Sequence, residues 1–180
     1  MNNSVGRHHQ ASFNMTIIAT ASPNSFVLSG LSIPHALPAP AFHGLLGEPS
    51  RIIAAGRPAP AGHRNNQIHI YDDLGVYITE HHYTFLFTSV IFMLDPSHSP
   101  FPSLNPFSGS LFIGESTITQ PFHEDSIQKS GLNFHCQLRG SWTLEGESTH
   151  WIGFTSEDKT VHSVSVCFPH DPHDDSQRRN

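Results

Sequence analysis

The chain has 180 residues and a formal net charge of -6, with 37% apolar and only 13% charged side chains. That length fits one domain, or two small halves sharing a core, and it can bury enough surface to fold without a metal or a disulfide framework. The negative charge argues against nonspecific binding to nucleic acid or anionic membranes, and no apolar run approaches the ~20 residues that span a bilayer.

Residues 1–22 read as a disordered leader. Met15 to Ala21 is too short and too weakly apolar for a signal sequence, and Met15 is an alternative start. A single α+β domain is expected over residues 23–168. It opens with a hairpin, Phe26 to Ile33, turning at Gly30. Ala41–Gly47 reads as a short helix: Phe42, Leu45 and Leu46 share one face, Gly47 caps the end, and Pro49 stops it. Arg51–Ile53 begins a strand. Gln67–Tyr71, Val76–Thr79 and Thr84–Leu94 form a three-stranded antiparallel meander. Its third strand is apolar on both faces, which predicts a central, doubly covered position.

Residues 95–108, rich in Pro and Ser, form a joint between two halves. A second Gly-centred hairpin follows over Leu111–Ile118, then a short helix over His123–Ser130, stopped by Gly131. Strands are expected at Phe134–Leu138, Ser141–Leu144, Trp151–Phe154 and Val161–Phe168, and a flexible tail at 169–180. The fold class is therefore α+β: antiparallel sheet with two short helices. The order hairpin–helix–meander recurs over about 25–94 and 109–168, so two tandem repeats are expected.

The residues suggest little chemistry. Asp72 and Asp73 could serve acid/base work or hold a cation, but Asp-Asp-Leu-Gly is also what a tight turn requires. Tyr71, Tyr77 and Tyr83 flank that turn. If they share a face, they form an aromatic patch of the kind that anchors protein interfaces. Tyr71, Asp72, Asp73, Tyr77 and Tyr83 are thus the candidate binding residues. The fifteen histidines lack metal-ligand spacing, so no metal or other cofactor is expected. Cys136 and Cys167 lie in strands and read as buried thiols. No nucleophile elbow, phosphate-binding Gly loop, Cys-x-x-Cys or His-Glu-x-x-His occurs, and no enzyme activity is expected.

Three stretches carry a resemblance: Phe42 to Arg51, containing Leu-Gly-Glu-Pro-Ser-Arg; Tyr71-Asp72-Asp73-Leu74-Gly75-Val76; and Pro106-Phe107-Ser108-Gly109. Together they resemble an uncharacterised bacterial domain family, over roughly residues 25–168. Some members look like immunity proteins of bacterial toxin systems. The resemblance implies a noncatalytic, cytoplasmic, protein-binding domain that neutralises a partner toxin. The alternatives are a metal-assisted hydrolase using Asp72, Asp73 and His69, His81 or His82, and a structural or assembly subunit.

Overall fold

The computed structural model describes residues 17–55, 66–81, 84–101, 104–138, 140–144 and 151–168. The first half runs β1 (Ile18–Ser22), β2 (Ser25–Leu28), β3 (Leu31–Ser32), α1 (Ala39–Leu46), β4 (Arg51–Ala55), β5 (Asn66–Tyr71), β6 (Val76–Glu80) and β7 (Phe87–Met93). A single 3-10 turn, Pro96–His98, interrupts the joint. The second half runs β8 (Ser110–Ile113), β9 (Ser116–Ile118), β10 (Phe122–His123), α2 (Glu124–Gln128), β11 (Phe134–Leu138), β12 (Ser141–Leu144), β13 (Trp151–Glu157) and β14 (Thr160–Cys167). The chain is α+β: mostly antiparallel sheet with two short helices. No helix among the described residues is long and apolar enough to cross a membrane.

The strands form two sheets. The larger has the order β11-β12-β13-β14-β7-β6-β5-β4, with β10 pairing the start of β14. The smaller has the order β3-β2-β1-β8-β9. Among the described residues every pairing is antiparallel except β1 with β8, which run parallel. That exception follows from connectivity: β8 returns to the first sheet only after the whole first meander, and such long crossovers permit parallel pairing.

The main core lies between the sheets. β2 contributes Phe26, whose ring sits 6.4 Å from that of Phe92 on β7 and 6.0 Å from that of Phe168. Val76, Ile78, Val90, Phe92, Ile152, Phe154, Val164 and Val166 line the same side of the larger sheet. Their register explains why: Val76 and Val164 both face Phe92, and Ile78 and Val166 both face Val90. β7 is the central strand, as its two-sided apolar sequence predicts. Its other face carries Met93, which packs with Ile70 and Leu104 in a small second cluster beneath the joint.

The leader needs correction. Residues Ile18–Ser22 form β1, at the middle of the smaller sheet, rather than the end of a disordered segment. Ile17, Ala19 and Ala21 are buried, while Ile18 and Thr20 face outward. Two of the three inward residues are alanines, which fit the close approach of β1 to the core but give a weak alternation signal. Residues 1–16 and the tail at 169–180 lie outside the described residues.

Helix α1 packs Phe42 and Leu46 into the core, with the Phe42 ring edge-on to Phe87 at 4.9 Å. Gly47 ends it, its N–H donating to the His43 carbonyl at 2.9 Å. Neither cysteine fits the expectation of a buried thiol: Cys136 is exposed and Cys167 is half-buried. They lie on β11 and β14, with β12 and β13 between them. At the usual strand spacing that separates their backbones by about 14 Å, too far for a disulfide.

Candidate functional site

The three stretches quoted above meet at one corner. Between β5 and β6 the chain turns through Asp72–Gly75, and the N–H groups of Leu74 and Gly75 both donate to the Tyr71 carbonyl at 3.1 Å. Gly75 takes φ 68, the left-handed region where a side chain is disfavoured. The chain before β8 lies on this turn: Asn105 N–H donates to the Asp72 carbonyl at 3.0 Å and Ser108 N–H to the Leu74 carbonyl at 3.3 Å. From the other side, Arg51 Nη2 donates to Asp72 Oδ1 at 2.9 Å, and Ser50 Oγ accepts from Asp72 N–H at 3.0 Å. Asp72 is therefore held by the segment after α1, while Asp73 is exposed.

Tyr71 and Tyr77 are not brought together. Tyr71 pairs with Val76 and Tyr77 with Ile70, so the two rings point to opposite faces of the sheet. Tyr71 is buried in the main core, where burial first, and then the Glu48 carboxylate, push its phenol well above the usual range. Tyr77 lies on the other face, its ring edge-on to Phe101 at 4.9 Å. Tyr83 and His82 lie outside the described residues. The histidines near this turn are likewise dispersed. His69 faces Glu80, and His81 Nδ1 lies 3.5 Å from Thr84 Oγ1. Among the described residues, no three His, Cys, Asp or Glu side chains are placed to hold one metal ion.

A chain of titratable groups instead ties α1 to β5 and β6. His43 Nε2 lies 3.3 Å from His69 Nδ1, and His69 Nε2 lies 3.2 Å from Glu80 Oε2. At the outer end, His43 Nδ1 is 3.8 Å from the exposed Glu48 carboxylate. His69 and Glu80 are each only 3% exposed. The His69 ring is edge-on to Phe87 at 4.9 Å.

A concavity lies across the other half of the sheet. It is an open cleft of about 890 Å³, lined by Glu124, Cys136, Trp142, Ser156, Lys159 and His162, with Glu157 and Asp158 at its rim. Glu124 opens α2, and its Oε1 accepts from Trp142 Nε1 at 3.1 Å and from the Ser156 hydroxyl. Those two hydrogen bonds, Ser156 first, hold its carboxyl below the usual range, with Lys159 adding to the effect. A folded-state pKa lowered in this way contributes stability above the ordinary carboxylate range and loses it as pH falls through the folded value.

One wall of the cleft is a two-residue hairpin between β13 and β14. Asp158 and Lys159 both have positive φ, 47 and 65, as a type I′ turn demands. Lysine is an unusual occupant of that position, and the turn presents the two opposite charges side by side. Beneath the rim, His98 bridges two carboxylates, with Nε2 2.9 Å from Glu157 and Nδ1 3.3 Å from Asp95. Its ring stacks on His162 at 4.5 Å. Burial, and then His98, lower the His162 pKa.

Residues 18–128 match a protein family described as a domain of unknown function (DUF7738). That is more than half of the chain. The chain belongs to this family. No curated protein and no solved structure matches it.

The family region runs from β1 through α2. It contains the whole Asp72 corner, the His43–His69–Glu80 chain and Glu124. Trp142, Ser156, Lys159 and His162 lie beyond it, so the cleft is completed by the strands that follow. Sequence reasoning missed the cleft. Its residues come from α2, β11, β12, β13, β14 and the turn between the last two, and no single segment carries a motif for it.

Proposed function

We propose that this chain is a noncatalytic protein-binding domain and that the cleft around Glu124 receives a basic side chain of its partner. The observation that carries the reading is the state of Glu124. Its carboxylate is fixed by Trp142 and Ser156 and kept anionic, whereas a general acid or base works best with a pKa near the operating pH. A fixed anion beside an indole, in an open concavity on a chain of net charge -6, suits an ammonium or guanidinium group. The likeness to immunity proteins supplies the class of partner: a toxin, bound in the bacterial cytoplasm.

The Asp72 corner supports the metal-assisted hydrolase less well, because the Asp72 carboxylate already holds Arg51. We also read the two halves as a duplication, on the recurring order hairpin–helix–meander. A two-fold axis normal to the stacked sheets relates antiparallel β7 and β14 but not parallel β1 and β8. A duplicated chain would therefore have rearranged its smaller sheet.

The test is calorimetric titration against the proteins encoded beside this gene. Glu124→Gln is expected to weaken binding about 30-fold or more, the ~2 kcal/mol that follows removal of one partner from a buried charge pair. Asp73→Ala and Tyr77→Ala separate the cleft from the Asp72 corner: loss of affinity there, with Glu124→Gln unchanged, moves the contact to the corner. No binding to any neighbouring product would sink the reading.

A further inference from the structure

We propose that the Glu48–His43–His69–Glu80 chain is a proton-operated latch that releases α1 from the larger sheet on acidification. Two nitrogens that face each other across 3.3 Å, as His43 Nε2 and His69 Nδ1 do, can share a hydrogen bond only if one of them lacks a proton. Glu80 settles which. Its Oε2 lies 3.2 Å from His69 Nε2, off hydrogen-bond alignment but the nearest acceptor on that side, so the His69 proton belongs on Nε2 and Nδ1 is left bare. His43 then donates from Nε2. His43 Nδ1, 3.8 Å from Glu48, can take up one further proton without disturbing this order. A second proton on the pair, at His69 Nδ1, has no such place. It turns the contact into donor against donor and sets two imidazolium ions face to face.

The surroundings make that second proton a matter of conformation rather than of local rearrangement. His69 and Glu80 are buried, and Phe87 lies edge-on to the His69 ring, so the second imidazolium gains no water where it stands. Among the described residues, the titratable and charged groups around the chain are few. The α1 side contributes His43 and Glu48, β4 contributes Arg51, β5 contributes His69 and Tyr71, and β6 contributes Glu80. Arg51 is engaged by Asp72, and His81, just after β6, is turned toward Thr84. His35, in the loop before α1, is exposed. β7 offers Phe87 and no charge. The way to accommodate the second proton is to move α1, which carries His43, away from β5.

Linkage fixes the sign. The open form binds one proton more than the closed form, so the opening equilibrium rises about tenfold for each unit the pH falls within the imidazole range. The latch is closed at neutral and higher pH and opens on acidification. Release of α1 also slackens the segment from Gly47 to Arg51, and with it the hold of Ser50 and Arg51 on Asp72.

The test is NMR on the full chain between about pH 8 and pH 5, within the range where imidazoles titrate. Ring nitrogen shifts report the tautomers, and amide exchange, corrected for its intrinsic pH dependence, reports opening. The expected result is an Nε2–H tautomer for His69 at high pH, and loss of protection at Gly47 N–H on acidification while the β13–β14 amides stay protected. In His43→Gln, which cannot charge but can still donate, that loss should vanish. Protection of Gly47 unchanged to pH 5, simultaneous loss in β13–β14, or the same transition in His43→Gln would each overturn the proposal. The wild-type tautomer alone decides if the variant fails to fold: an Nδ1–H form of His69 at high pH removes the latch.

Discussion

Phe92→Ala is expected to cost about 3–5 kcal/mol of folding stability, a large share of the ~5–15 kcal/mol that domains possess. Phe92 is fully buried at the middle of β7. Its ring meets Phe26 from the smaller sheet at 6.4 Å and Phe107 from the joint at 5.0 Å. It therefore holds three pieces of chain at once, and the surrounding strands cannot collapse into the space it leaves. In a protein of this size the melting temperature should fall on the order of 10 °C. Thermal unfolding followed by circular dichroism checks it. A loss below about 1 kcal/mol would mean that the two sheets do not share this core.

The second large effect is expected from one methyl group. Gly75→Ala places a Cβ against the backbone of Phe107 and the carbonyl of Asn105, at a residue with φ 68. The conformational part alone costs about 1–2 kcal/mol. The collision adds to it, because the obstructing atoms are backbone held by hydrogen bonds to Asp72 and Leu74. A total of about 3 kcal/mol or more is expected in urea unfolding. Gly30→Ala supplies the comparison: φ there is 86, and an added Cβ meets nothing within 4 Å. It should show the conformational cost without the collision. Equal losses at the two positions would show that the Asn105–Phe107 approach carries no weight.

Much of the fold was legible because β periodicity is local. The alternation in β5, β6 and β14 gave those strands directly, and the two-sided apolar run of β7 gave its central place. Phe42 and Leu46 with Gly47 gave α1. What failed locally was β1, where Ala19 and Ala21 face the core but are too small to stand out. The site was less legible for a different reason. Whether Tyr71 and Tyr77 share a face depends on the register across the turn, and the pairing Tyr71 with Val76 puts them on opposite sides. Spacing in the sequence does not settle that. The cleft is a product of topology: Glu124, Trp142, Ser156 and His162 become neighbours only because β10 carries α2 to the start of β14. His69 and Glu80 each look like an ordinary polar residue of an alternating strand. Their burial appears only once α1 is laid across β5 and β6.

The position of β14 bears on how the family region may be cut. That region ends at residue 128, yet β14 lies between β7 and β13 and supplies Val164 and Val166 to the core. A fragment 18–128 would leave β7, apolar on both faces, with its hydrogen-bonding edge bare, and is expected to aggregate on expression where the whole chain does not. Sedimentation of the fragment beside the whole chain checks this. By the same reasoning, any family member that stops at the equivalent of residue 128 needs a substitute strand for β7. A second copy of itself, pairing β7 to β7, is the simplest source.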